Sequence, residues 1–302
     1  MRTLLITFLV FYFGSANAEQ YRIPWKGDYP HNSSKTWSRD NPHDSGYSKN
    51  FKNGAPEEFN DVQKNGELNA EIIAPKNTNG PIPFMVVLHG CAGLETLTKE
   101  WAHHVADTLN AEGIRVLVLD SYTTRYVDRS CGNADLHWGR RRADDAYSAL
   151  DYLIEKGMAK HEVYLMGMSN GGTTTLVAMT TMENDHKHTF AAGFPIVPSC
   201  ISITLKYGSY YRPMIVFAGD KDDANDPKQC LEMLKKKRAT SVQLIMYQGV
   251  NHGFMEKAPD RIFNNWRLSY NPTAEKDMMQ TIISALKTRK FVKGVDFRQA
   301  SK

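Results

Sequence analysis

Beyond residue 60 the chain alternates two apolar patterns. Phe84–Leu88 (FMVVL), Ile114–Leu119 (IRVLVL), Val163–Met166, Ala191–Val197, Met214–Ala218 and Val242–Tyr247 are apolar stretches of strand length, and the continuous runs read as strands buried on both faces. Leu68–Ile73 is strand-like as well. Between these runs, Trp101, Val105 and Leu109 fall on one helical face, as do Ala146, Leu150 and Ile154 ahead of a terminating Gly157. Thr173–Thr181, Pro227–Lys237 and Ala274–Leu286 complete the expected helices. Strand and helix in turn predict an α/β fold: a mostly parallel central sheet with helices on both faces. Ligands in such sheets sit at the carboxyl ends of the strands, so chemistry is expected just after each strand.

The ends of the chain break this pattern. Residues 1–18 (MRTLLITFLVFYFGSANA) carry Arg2, then an apolar run from Leu4 to Phe13, then small residues ending Ala16-Asn17-Ala18. That is the form of a cleaved secretory signal, with the cut expected after Ala18. The apolar run is shorter than the about 20 residues a membrane span needs. Residues 19–60 are polar and aperiodic and read as an extended arm; 61–292 is the expected catalytic domain and 293–302 a tail.

Composition narrows the class. With 41% hydrophobic and 23% charged residues among 302, the body of the chain is neither collagen-like nor disordered. A net charge of +4 is too small and scattered to argue for nucleic acid, and the run Lys235–Arg238 reads as a solvated helix face. Export makes the four cysteines candidates for disulfides. The topology brings Cys91 near Cys131 and Cys200 near Cys230, at one end of the sheet, and these are the expected pairs.

The strongest chemical signal follows the strand at 163–166. Gly167-Met168-Ser169-Asn170-Gly171-Gly172 is G-x-S-x-G between a strand and a helix, the setting in which that motif presents a nucleophilic serine. Serine needs a base, and the base an orienting acid. In this chain order they follow as acid, then histidine. The strand at 214–218 ends in Gly219-Asp220-Lys221-Asp222-Asp223, and the strand at 242–247 leads to Asn251-His252-Gly253-Phe254. His252 is the expected base. A G-x-x-D spacing selects Asp222 as the acid, with Asp223 and Asp220 as alternatives. Two backbone donors for an oxyanion are expected at Asn170, directly after the serine, and at Cys91 in the loop His89-Gly90-Cys91-Ala92-Gly93. His89 reads as a structural histidine of that loop. Tyr122, Arg125 and Arg129, after the strand at 114–119, are candidates to receive an aromatic or carboxylate-bearing substrate. Arg140, Arg141 and Arg142 are expected to pair with Asp144 and Asp145. Asp185-His186-Lys187-His188 reads as an exposed loop rather than a metal site.

LHGCAG (88–93), GMSNGG (167–172), AGDKDD (218–223) and NHGF (251–254), in that order on the expected strands, resemble the dienelactone hydrolase-like branch of the α/β-hydrolase superfamily over about residues 65–290. Dienelactone hydrolase itself uses a cysteine nucleophile; here that position is Ser169, which points away from dienelactone toward general ester chemistry. The resemblance implies a Ser-His-Asp hydrolase that needs no cofactor or metal and acts on a small-molecule ester. The expected location is the periplasm or the medium, with no stable membrane insertion once the signal is cut. A peptidase or acyltransferase on the same triad, and a non-enzymatic binding protein of the same fold, are the competing readings. Oligomeric state is left open by the sequence.

Overall fold

A computed structural model describes residues 17–26, 65–76, 80, 82–125, 127, 129–131, 139–181, 186–200, 212–235 and 241–300. The expected signal segment up to residue 16, residues 27–60 of the expected arm, Asp185 and Lys236–Arg238 lie outside these. The elements in chain order are β1 (Asn17–Lys26), β2 (Asn65–Ala74), β3 (Phe84–Leu88), α1 (Thr96–Asn110), β4 (Arg115–Asp120), α2 (Gly139–Glu155), β5 (Val163–Met168), α3 (Asn170–Thr181), β6 (Gly193–Ile196), β7 (Met214–Gly219), α4 (Lys228–Leu234), β8 (Val242–Gln248), β9 (Arg261–Phe263), β10 (Trp266–Leu268), α5 (Pro272–Thr288) and β11 (Gly294–Gln299).

Nine strands form one sheet in the order β1-β2-β4-β3-β5-β6-β7-β8-β11. The β1/β2 and β2/β4 pairs are antiparallel, and the other pairs are parallel. Every residue of β3 is fully buried, as expected for a strand covered on both faces. Phe84, Val86 and Leu88 join one core with Ala146 and Leu150 of α2, Leu176 of α3 and Met233 of α4. Met85 and Val87 join the other with Trp101 and Val105 of α1 and Met278 and Ile282 of α5. The alternation of β-strand side chains thus feeds two separate cores, one per face. Helix α5 starts where Asn271 accepts a hydrogen bond from the Ala274 N–H (3.0 Å) and Pro272 opens the first turn.

The structure adds detail at both chain ends. The arm begins as a sheet strand: Ile23 and Trp25 of β1 are buried, and the Trp25 ring lies under the guanidinium groups of Arg125 (4.6 Å) and Arg141 (5.7 Å). Only Tyr21, Ile23 and Trp25 alternate inward. That three-residue signal was lost in a polar surrounding, and Pro24 is tolerated because β1 is an edge strand. The expected tail supplies β11 at the opposite edge, where half-buried and exposed positions alternate but the apolar Val295 and Phe297 fall on the exposed side.

Both expected disulfides are present, Cys91–Cys131 with Cα atoms 4.9 Å apart and Cys200–Cys230 at 5.1 Å. Among the described residues no helix is long and apolar enough to cross a membrane.

Candidate active site

Ser169 sits between β5 and α3 with φ +54°, a left-handed conformation that side chains other than glycine seldom adopt. Its neighbours are cleared for it. A Cβ on Gly167 would lie 2.3 Å from the Gly171 carbonyl oxygen, and one on Gly171 would lie 2.5 Å from that of Leu88. The Ser169 N–H donates to the Ile196 carbonyl (2.8 Å), which fixes the turn against β6. The hydroxyl is thereby lifted above the carboxyl ends of β3, β5 and β6.

His252 and Asp222 arrive from loops at the same end of the sheet. His252 Nδ1 lies 2.8 Å from Asp222 Oδ2, and its Nε2 lies 2.9 Å from Ser169 Oγ. The carboxylate accepts, so Nδ1 carries the proton and Nε2 offers its lone pair to the serine hydroxyl. Asp222 is held from its other oxygen: Oδ1 accepts from the N–H groups of Ala224 (3.0 Å) and Asn225 (2.9 Å). Both side chains are almost completely buried. The alternative acids have other tasks. Asp220 accepts from the Gly249 N–H (2.6 Å), bracing the loop that carries His252, and Asp223 accepts from the Arg267 N–H (3.0 Å).

The loop after β3 brings Gly90, Cys91 and Ala92 to a cleft shared with Ser169 and His252. Asn170 opens α3, so its N–H has no intrahelical acceptor and points with the positive end of the helix. Arg142, completely buried, ties these two backbone segments together. Its Nη1 donates to Asn170 Oδ1 (2.6 Å) and its Nη2 to the His89 carbonyl (2.7 Å). These hydrogen bonds run to the turn after β5 and the loop after β3, while Asp145 acts on Arg142 through its charge. Asp145 is held in a two-pronged ion pair by Arg125, and the Arg140 side chain lies outside the described residues. His89 is structural: the Ser121 N–H donates to Nε2 (3.3 Å) and Nδ1 donates to the Gly90 carbonyl (2.7 Å). Burial, reinforced by the Arg142 charge, pushes its pKa down to about 3, so it stays neutral.

One part of the cleft was missed by sequence reasoning. β9 and β10 form a small hairpin whose tip, Asn264-Asn265, has φ +49° and +65°, the paired positive angles of a type I′ turn. It sets Phe263 and Trp266 over the site, with the Trp266 ring 6.3 Å from that of His252. The signal was an Asn-Asn pair between two three-residue strands, too short for periodicity to register.

The structure does not bring Tyr122 and Arg125, the candidates to receive a substrate, to the cleft. Tyr122 is buried and its hydroxyl shares a hydrogen bond with Ser130 (2.6 Å). Arg125 is also buried and is held in a two-pronged ion pair by Asp145, both contacts 2.7 Å. The stack on Trp25 completes its surroundings, so neither side chain reaches the cleft. Arg129 is exposed and is not part of the cleft lining. His186 stacks on Tyr147 (3.9 Å) and His188 lies 2.7 Å from Asp151. Among the described residues no three His, Cys, Asp or Glu side chains gather to hold a metal ion.

Comparison with known proteins places this geometry. A protein of Bradyrhizobium sp. named "Probable 2-oxo-3-(5-oxofuran-2-ylidene)propanoate lactonase" is 23% identical over 240 residues, covering 71% of this chain and 87% of that protein. Among solved structures, a dienelactone hydrolase-like promiscuous phosphotriesterase from metagenomic libraries superposes with a TM-score of 0.59 at 17% identity, over 91% of this chain and 99% of that one. An esterase of Pyrobaculum calidifontis gives 0.54 at 16%, over 74% and 82%. Both have the α/β-hydrolase fold, which this chain shares. The sequence pattern of the dienelactone hydrolase family matches residues 68–290, and the chain belongs to that family of hydrolases acting on ester bonds.

Proposed function

We propose that this protein is an exported serine hydrolase that cleaves carboxylic esters through Ser169, His252 and Asp222 by way of an acyl-enzyme. The observation that carries this reading is the unbroken hydrogen-bonded line from Asp222 through His252 to Ser169 on a strained strand–helix turn. His252 takes the hydroxyl proton at Nε2 as Ser169 Oγ attacks the carbonyl carbon. The tetrahedral oxyanion is received by the N–H groups of Asn170 and Cys91. On collapse the alcohol leaves with the proton from His252. Water, deprotonated by His252, then attacks the acyl carbon and returns Ser169 with the free acid. Asp222 holds the imidazole in the required tautomer and stabilises its protonated form.

Two disulfides, together with the signal-like segment ahead of residue 19, support an extracytoplasmic location. Cleavage after Ala18 leaves β1 nearly whole: only the pairs Asn17–Ala74 and Ala18–Ile73 are lost.

The test is hydrolysis of p-nitrophenyl butyrate by purified wild type beside Ser169→Ala, Asp222→Asn and Asp223→Asn. The proposal expects Ser169→Ala and Asp222→Asn to lose roughly a thousandfold or more in kcat, on the scale seen when triad members are removed. Asp223→Asn is expected to keep most of its activity. Equal activity in Ser169→Ala and wild type contradicts it.

A further inference from the structure

The walls of the cleft are apolar, from Met168, Phe263, Trp266 and Leu268, but its ionisable lining is unbalanced. Apart from His252 it holds two carboxylates, Glu95 and Glu256, and one guanidinium, Arg261. Arg261 is engaged by Glu256 through Nη2, which offsets its charge, while its Nη1 is buried without a hydrogen-bond partner. The arginine that sequence reasoning offered to a substrate carboxylate, Arg125, is sealed in the interior by Asp145. Glu95 stands at the start of α1 and makes no capping hydrogen bond to the helix.

We propose that the cleft selects neutral and cationic esters over anionic ones, and that Glu95 sets that sign. This rests on the ester-hydrolase reading and gives it a substrate class. A carboxylate entering the cleft meets the uncompensated charge of Glu95, while Glu256 and Arg261 offset each other. An ammonium group meets the exposed Glu95 carboxylate in a cleft whose walls also carry Phe263 and Trp266, a setting that favours cations twice over. The two carboxylates feel each other already: burial and then the charge of Glu256 raise the Glu95 carboxyl above its usual range, with Arg261 opposing. A cation placed between them relieves that repulsion. The Bradyrhizobium relative is named for a propanoate, an anion, so charge preference within this family is inferred to differ from member to member.

The experiment compares kcat/KM for the butyrate esters of choline, of its neutral isostere 3,3-dimethylbutanol and of 3-hydroxypropanoate. A second set carries the same three charges on the acyl side. In at least one set wild type is expected to favour the cationic over the anionic ester by roughly tenfold, the size of one charge pair in a partly solvated cleft. That ratio should shrink in 0.5 M salt, in line with a screening length of about 3–10 Å over this range. It should fall severalfold in Glu95→Gln and reverse in Glu95→Lys. Glu95 is an exposed rim residue, and a thermal melt confirms that each variant is folded. A preference for the anionic ester in both sets, or a ratio unmoved by salt and by Glu95→Gln, overturns the proposal. Hydrolysis of none of the esters by wild type overturns the ester-hydrolase reading, and this inference with it.

Discussion

Arg142 is hydrogen-bonded to the side chain of Asn170, the residue after Ser169, at 2.6 Å, and with the same guanidinium reaches the carbonyl of His89, two residues before Cys91. One buried cation therefore fixes the spacing between the two backbone segments assigned to receive the oxyanion. Arg142→Met is expected to lower kcat about 10-fold to 100-fold, below the 10²–10³ of a deleted donor because the donors remain but drift. KM should stay within about threefold. Affinity for a boronic acid that mimics the tetrahedral state should fall in parallel with kcat. Equal losses in boronate and product affinity would reduce Arg142 to a packing role.

The Cys91–Cys131 bond anchors the same loop from its other side, helped by the Ser130 N–H donating to the Cys91 carbonyl (2.7 Å). Replacing both cysteines by serine is expected to remove about 4 kcal/mol of stability by the chain-entropy estimate for a loop of this length, and to reduce kcat as well. The Cys200–Cys230 pair closes a loop of similar size that carries Asp222, but neither cysteine lines the cleft. Its removal should lower stability comparably and leave kcat much less affected. Denaturant melts and initial rates on the two double variants separate the effects, and equal kcat losses would count against the oxyanion role of Cys91.

Trp25 tests the status of the N-terminal strand. It is buried, packed beneath Arg125 and Arg141, and so close to Gly66 that a Cβ there would stand 2.9 Å from its indole nitrogen. Trp25→Ala is expected to destabilise the protein by about 3–5 kcal/mol, the range for large buried aromatics. A change below about 1 kcal/mol in urea unfolding would show that β1 is dispensable and that the segment is an arm after all.

His89 gives the protein an acid limit. Its pKa is about 3 when folded against an ordinary 6.5, so between those values the unfolded chain binds a proton that the native state refuses. Stability from this residue is present above about pH 6.5 and is lost as pH falls toward 3, with a slope of up to about 1.4 kcal/mol per unit. His89→Gln should be less stable at neutral pH but show a shallower decline on the acid side. Parallel stability–pH curves for the two proteins would contradict this assignment.

Much of the fold was legible because its strands are buried on both faces and announce themselves as apolar runs; FMVVL at 84–88 is the clearest. The candidate site was readable for a different reason: the turn at Ser169 admits only glycine at 167 and 171, where any Cβ would strike backbone. What escaped were edge elements and short ones. β1 and β11 bury at most one side, and the three-residue strands β9 and β10 are below the length at which alternation can be seen. Arg125 and Arg142 were misassigned because sequence neighbours suggested Asp144 and Asp145 as partners of the Arg140–Arg142 run. The packing of α2 against the sheet instead turns Arg142 to the turn after β5 and gives Asp145 to Arg125.

The most direct test of the central claim is labelling with a fluorophosphonate, followed by mass spectrometry of the modified peptide, on wild type, Ser169→Ala and His252→Ala. An activated Ser169 predicts one phosphonylated site, at Ser169, absent from the Ser169→Ala protein and strongly slowed in His252→Ala. Folded wild type that takes no label, or takes it on another residue, would contradict it.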